Sequence, residues 1–250
     1  MRHDGREPGF LRSVTMEPGW HRTAEGSVLI RSGNTTVLCT ASVDEGVKDF
    51  LRGQGRGWVT AEYLMHPRAS GRRQGRDGWN GRPLSGRTQE IARLIGRALR
   101  GAVDARVLGE RTITIDCDVL EADGGTRTAS VTGGFVALAM ALDLLRRKGI
   151  VVGRPLRAQV AAVSAGLVGD TPMLDLAYVE DRDAEMDLNV VATDTGEVVE
   201  IQATAEGAPV ARATVDSLIG LAVEGVQALC EIQRKVLAGA KVDLAALRAV

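Results

Sequence analysis

The run Leu120-Glu121-Ala122-Asp123-Gly124-Gly125-Thr126-Arg127-Thr128-Ala129-Ser130-Val131-Thr132-Gly133-Gly134 decides how the rest of the chain is read. Upstream, Arg111 to Leu120 alternates polar and apolar residues, with Ile113, Ile115, Cys117 and Val119 on one side, which predicts a half-buried strand. Downstream, Phe135 to Leu145 is apolar enough for a buried helix, and Arg146-Arg147-Lys148-Gly149 supplies its C-terminal stop. A Gly-rich turn therefore joins strand to helix. The first N–H groups of a helix lack intrahelical acceptors and carry the positive end of the dipole, so they attract anions. Gly124 and Gly125 would let a phosphate approach the backbone, and Arg127 offers a planar fork of donors. The same residues also suit an ordinary tight turn, with Thr126, Thr128 or Ser130 as helix cap and Arg127 in solvent. The turn is neither a Walker A loop, since no Gly-Lys-Ser/Thr follows, nor a G-x-G-x-x-G dinucleotide fingerprint.

Hydrophobic residues make up 44% of the 250-residue chain but aromatics only 3%, so the core must be built from Val, Leu, Ile and Ala. The opening Met-Arg-His-Asp-Gly-Arg-Glu-Pro lacks the apolar run of a secretory leader, and no apolar run in the sequence reaches membrane-spanning length. Cys39, Cys117 and Cys230 are widely spaced in apolar surroundings, which predicts buried thiols in a reducing cytoplasm. Charge is segregated. Residues 52–111 hold 13 arginines against 5 carboxylates, and residues 170–206 hold 11 carboxylates against one arginine. A basic segment suits a polyanion and an acidic one a divalent cation, although both also suit solvated surface.

Taken in order, residues 1–23 read as loop. Ser27–Arg31 and Thr35–Val43 read as strands joined through Ser32-Gly33-Asn34, and Trp58–Met65 as extended chain. Residues 66–86 form a long Gly/Arg loop with no apolar face to dock on a core, which marks Arg68, Arg73 and Arg76 as candidates for gripping an RNA or DNA backbone. Residues 86–103 carry a helical stripe of Ile91, Leu94, Ile95, Ala98, Leu99 and Ala102. Arg87 falls in the first turn of that helix, where a cation opposes the dipole unless an anion binds there. Strands are expected at 155–165, 173–180, Leu188–Thr193 and Val198–Thr204, and a second long amphipathic helix at 210–238. Asp181 and Asp187 bracket an acidic loop, so they can face each other across a hairpin mouth. Paired in that way they suit Mg²⁺, a hard cation that takes few protein oxygens; otherwise they belong to a solvated loop. No linker or repeat divides the chain, which reads as a single domain over residues 1–250.

Several stretches together carry a resemblance: Arg2-His3-Asp4-Gly5-Arg6, Gly57-Trp58-Val59-Thr60-Ala61-Glu62-Tyr63, Gly86-Arg87-Thr88, Leu108-Gly109-Glu110-Arg111-Thr112-Ile113, Ala122 through Ser130, and Asp187-Leu188-Asn189-Val190-Val191. They run in family order along nearly the whole chain, which resembles the ribonuclease PH family, in particular its bacterial members that trim tRNA 3′ ends. The resemblance implies a mixed α/β ribonuclease PH fold of the ribosomal protein S5 domain 2-like class, assembled as a homohexamer (a trimer of dimers) in the cytoplasm. It implies a reaction in which inorganic phosphate attacks the last phosphodiester bond of an RNA 3′ end and releases a nucleoside 5′-diphosphate, with reverse nucleotidyl transfer as its counterpart. It assigns phosphate binding to Arg87, Gly125, Thr126 and Arg127, catalysis to Arg127, Asp181 and Asp187, Mg²⁺ to the same two aspartates, and RNA contact to Arg68, Arg73 and Arg76. The loop departs from the family pattern at His66, at Ser70 and in Arg76-Asp77-Gly78-Trp79, where Arg-Glu-Ala is usual, changes that leave the arginines in place.

Overall fold

A computed structural model describes residues 2–249. Among these residues are two sheets and six α-helices. The strands are β1 (Val14–Pro18), β2 (Gly26–Ser32), β3 (Thr35–Glu45), β4 (Trp58–Met65), β5 (Arg111–Glu121), β6 (Val160–Val168), β7 (Thr171–Leu174), β8 (Met186–Thr193) and β9 (Val198–Ala205). The helices are α1 (Gly86–Ala102), α2 (Ala105–Leu108), α3 (Thr126–Arg147), α4 (Tyr178–Arg182), α5 (Arg212–Gly239) and α6 (Leu244–Leu247). The first sheet has the order β1-β2-β3-β5-β4 and the second β7-β6-β8-β9; β4 and β5 pair in parallel and the remaining neighbours antiparallel.

Periodicity explains the layering. On β5 the alternating Ile113, Ile115, Cys117 and Val119 are all buried, and they meet the stripe of α1 and the largely buried α3. In the second sheet β6 is buried on both faces. Leu188 and Val190 of β8 enter a core shared with α5, so Asp187, Asn189 and Val191 point the opposite way. Where β7 stops short, the exposed edge of β6 is completed by α3. The Thr132 hydroxyl accepts from the N–H of Ala162 at 3.0 Å and donates to its carbonyl at 3.1 Å. Gln233 of α5 donates to the carbonyls of Thr132 and Val160, so no strand edge is left open there. All three cysteines are buried free thiols.

The structure departs from the sequence reading at several elements. Residues 14–18 form a strand, because β1 pairs with β2 although Met16 is its one buried residue. The helix after the Gly-rich turn begins at Thr126, nine residues before the predicted Phe135 start, because Gly125 in a left-handed conformation (φ 64°) is its N-cap. Thr126, Thr128 and Ser130 lie inside that helix, so none of them caps it. The strand expected over 173–180 ends at Leu174. Asp175 takes a left-handed φ of 53° and the chain turns into α4, which places Asp181 on a helix and not in a hairpin loop. The 66–86 loop does dock, burying Pro67 and Ala69, through bonds from His66 N–H to Val119 O and from Ala122 N–H to Ala69 O, each 2.8 Å. Contrary to the sequence expectation, α3 and α5 are each long and apolar enough to cross a membrane by length and composition. The apolar circumference of α3 is accounted for by its burial between the two sheets.

Candidate active site

A cleft of about 970 Å³ lies where the two sheets meet α3, a size that accommodates a nucleotide. Arg87, Gly124, Gly125, Thr126 and Arg127 line one side, and Tyr178, Asp181, Arg182, Asp187, Asn189 and Glu206 line the other. Six residues marked from the sequence are thus brought together: Arg87, Gly125, Thr126, Arg127, Asp181 and Asp187. Arg68, Arg73 and Arg76 are exposed on the same loop but do not line the cleft, whereas Arg72 does. Arg76 sits near Asp118 on β5, where its charge opposes the upward shift that burial gives that carboxyl.

The cationic side of the cleft is built by the turn. Gly125 has no side chain to cap α3, and among the described residues no other side chain does so, which leaves the first-turn N–H groups uncapped where Gly125, Thr126 and Arg127 line the cleft. Thr126 is held from below, its hydroxyl 2.9 Å from Tyr63 Oη. Burial raises the Tyr63 pKa, which keeps that phenol protonated. Arg87 enters through α1, whose start is pinned by Ser85 and by Asp77. The Asp77 carboxylate accepts from the Ser85 hydroxyl at 2.8 Å and the Thr88 hydroxyl at 2.5 Å. Asp77 is one of the positions where the loop departs from the family pattern, and its task in this fold is to tie that loop to the helix bearing Arg87.

The carboxylate side depends on groups far away in sequence. Glu180 accepts a fork from Arg2, Nε to Oε1 at 2.8 Å and Nη2 to Oε2 at 2.6 Å, and takes the N–H of Ala177 at 2.9 Å. Burial alone would raise the Glu180 pKa; the Arg2 fork, the Ala177 N–H and the charges of Arg2 and Arg6 outweigh it and bring the value to about 2. Arg12 holds Asp175 through Nη2 to Oδ1 at 2.6 Å and reaches the Asp123 carbonyl at 2.6 Å through Nη1. The left-handed Asp175 is thereby fixed, and the Gly-rich turn is bolted to the start of α4. The two segments touch at Gly124 (φ 74°), where an added Cβ would lie 2.7 Å from the Leu176 carbonyl oxygen and 2.8 Å from the Tyr178 nitrogen.

Loss of hydration raises the pKa of Asp181, opposed by Arg127 and Arg87 and reinforced by Glu206. Asp187 is raised by loss of hydration and then by the charges of Asp181 and Glu206, with Arg127 opposing. Two carboxyls that resist ionisation for these reasons are groups that a divalent cation would relieve, so the donor set fits Mg²⁺. Among the described residues, donor atoms of three acidic or imidazole side chains converge only at His3, Asp4 and Glu180, where Arg2 and Arg6 already neutralise Glu180. Glu206, Tyr178, Arg72, Arg12 and Asp175 escaped the sequence reading. Asn189 sits two residues beyond Asp187, and strand alternation would have placed it on the same face.

Sequence models of the 3′ exoribonuclease family match in two consecutive parts, domain 1 over residues 11–142 and domain 2 over residues 158–225. Two solved structures share the fold over nearly the whole chain. The crystal structure of rice (Oryza sativa) Rrp46 superposes with a TM-score of 0.76 at 18% identity, covering 95% of this chain and 100% of that one. The Archaeoglobus fulgidus exosome with RNA bound to the active site superposes with a TM-score of 0.74 at 23% identity, covering 92% and 91%. Likeness at these identities establishes the fold, and the sequence match establishes the kinship: with domain 1 alone spanning more than half its length, the chain belongs to the ribonuclease PH family of 3′ exoribonucleases.

Proposed function

We propose that the protein is a phosphate-dependent 3′-to-5′ exoribonuclease of the bacterial ribonuclease PH type, acting on tRNA 3′ ends and releasing nucleoside 5′-diphosphates. The observation that supports this most is the single cleft in which two arginines and an uncapped helix start face two carboxyls. Phosphorolysis must bring a phosphate dianion to a phosphodiester, so two anions have to share one site. Arg87, Arg127 and the first N–H groups of α3 would neutralise the nucleophile and hold it in line with the scissile bond, replacing a bimolecular encounter by a positioned one. Arg72 and Arg182 at the rim would hold the backbone of the incoming strand. Asp181 and Asp187 would hold Mg²⁺, which when bound supplies charge stabilisation at the transferring phosphoryl group. Alternatively, one of the two, its pKa raised by burial, would deliver a proton to the departing 3′ oxygen instead of holding the cation.

Product analysis tests the reading. A 3′-extended tRNA incubated with the protein and Mg²⁺ should release diphosphates only when inorganic phosphate is added. Monophosphates released without phosphate would replace phosphorolysis by hydrolysis. The fold shared with the Archaeoglobus fulgidus exosome chain supports a second reading, a ring subunit of an exosome-like assembly. Its inactive form predicts RNA bound without any release. The presence of both arginines and both carboxyls in one cleft favours the active enzyme. Sizing of the purified protein separates a self-contained homohexamer from a subunit that needs other chains.

A further inference from the structure

Arg127 does not enter the cleft as a free cation. Its Nη1 donates to Oε1 of Gln202 at 2.7 Å and lies 3.6 Å from Oε2 of Glu90. Gln202 in turn donates from Nε2 to Oε1 of Glu90 at 2.8 Å. Three side chains from α3, β9 and α1 thus close a ring of polar contacts around one edge of the guanidinium. Both ends of the Gln202 amide are used. The Arg127 side chain is 20% exposed, and its Nε and Nη2 make no hydrogen bond to protein among the described residues. The ring also reaches the rest of the site. Glu90 follows Arg87 by one helical turn on α1, and Gln202 pairs across the sheet with Asn189, two residues beyond Asp187.

We infer that Gln202 and Glu90 are positioning residues for Arg127. They fix its Nη1 edge from behind, so that the remaining donors meet phosphate in one orientation. The inference rests on the reading of Arg127 as a phosphate ligand. A carboxylate this close to an anion site opposes anion binding by its charge, so its presence makes sense through orientation. That distinction can be measured. Glu90→Gln keeps an acceptor for Gln202 and removes the opposing charge, whereas Glu90→Ala opens the ring. If Glu90 were merely a competing anion, both substitutions would tighten phosphate binding.

The experiment compares wild type, Gln202→Ala, Glu90→Ala and Glu90→Gln. It reads KM for phosphate, KM for RNA and kcat, together with the rise in Tm that inorganic phosphate gives in the absence of RNA. Gln202→Ala and Glu90→Ala should raise KM for phosphate about ten-fold, the equivalent of one charge-assisted bond, and shrink the phosphate-induced rise in Tm. KM for RNA should stay within about two-fold, and Glu90→Gln should lie within about two-fold of wild type for both substrates. Unchanged phosphate KM in Gln202→Ala and Glu90→Ala overturns the inference, and so does tighter phosphate binding in both Glu90 variants. Equal losses for phosphate and RNA with a lowered Tm would reduce the ring to a folding role and overturn it as well. Wild-type enzyme that needs no phosphate would overturn the phosphorolytic reading first and the inference with it. Phosphate-dependent wild type with unaltered variants overturns the inference alone.

Discussion

If Arg127 holds the phosphate nucleophile as proposed, replacing it by alanine should cost ~10²–10³ in the rate of phosphorolysis, the scale of one lost electrostatic donor. Unchanged kinetics in saturating and limiting phosphate would remove Arg127 from the site. Asp187 carries the opposite kind of prediction. Its folded pKa is raised, so its ionised form costs stability at neutral pH, a cost that disappears as pH falls through the raised value to the ordinary carboxylate range. Asp187→Asn should therefore raise Tm by about 2–4 °C while abolishing turnover, a trade of activity for stability visible in a melting curve beside an assay. A lower Tm in that variant would contradict the proposed strain. At this scale the sequence disclosed residues whose chemistry is local: Arg87 misplaced at a helix start, Arg127 after two glycines, and the aspartates bracketing an acidic run. It did not disclose the partners of Arg127, because Gln202 lies 75 residues away and nothing in either stretch announces the pairing.

Among the elements, α4 has the least intrinsic support and the most external support. Five residues do not form a stable helix alone. Glu180 reaches back to the Ala177 N–H as the acidic half of a capping box, but Ala177 has no side-chain oxygen to return the bond. What holds α4 is the buried Arg2 fork, and that makes it acid-sensitive. With the Glu180 pKa depressed to about 2, the stabilisation from the fork is present above the ordinary carboxylate range and is lost as pH falls toward about 2. It amounts to at most about 3 kcal/mol. Glu180→Gln should lower stability at pH 7 and flatten its dependence on pH below about 4.5, as read by denaturant melts. An undiminished acid dependence would assign it to other carboxyls. Gly124→Ala attacks the same element from the other side, forcing a side chain into the Leu176–Tyr178 backbone. A loss of about 2–4 kcal/mol together with lowered kcat is expected, because the turn and α4 must part. The strand expected over 173–180 shows why α4 was illegible. Leu174, Leu176 and Tyr178 do alternate, but Leu176 is buried at a corner and Tyr178 faces the cleft, a pattern that period alone cannot separate from a strand. The start of α3 was hidden in the same way by its run of Thr, Gly and Ser, poor helix formers that become helical here only inside the packed core.

For the molecule as a whole, charge segregation has a place in the fold. The Arg-rich residues 52–111 belong to the first sheet, its loop and α1, while the acidic residues 170–206 belong to the second sheet and α4. The cleft is where they meet, so one half presents cations and the other carboxyls. RNA affinity should fall steeply with salt: holding about three phosphates of a single strand implies about a twenty-fold loss over a four-fold rise in salt, while Tm changes little. A flat salt response would take the basic loop out of RNA binding. Most of both sheets was legible because their strands alternate or run apolar between clear turns. The edge strand β1 was not, since a strand with one buried residue leaves no periodic trace.

The bonds of Arg2 to Glu180 and of Arg12 to Asp175 span 178 and 163 residues. A chain emerging from the ribosome therefore carries Arg2 and Arg12 without these carboxylates until Asp175 and Glu180 have been made, and long-range closure of this kind is slow. The first sheet and α3 can be in place by Arg147, ready to receive β6 as a template receives a strand. Asp181 and Asp187 arrive only afterwards, and the cleft closes around them last. Until that moment the cleft has its cationic wall and lacks the carboxyls that face it.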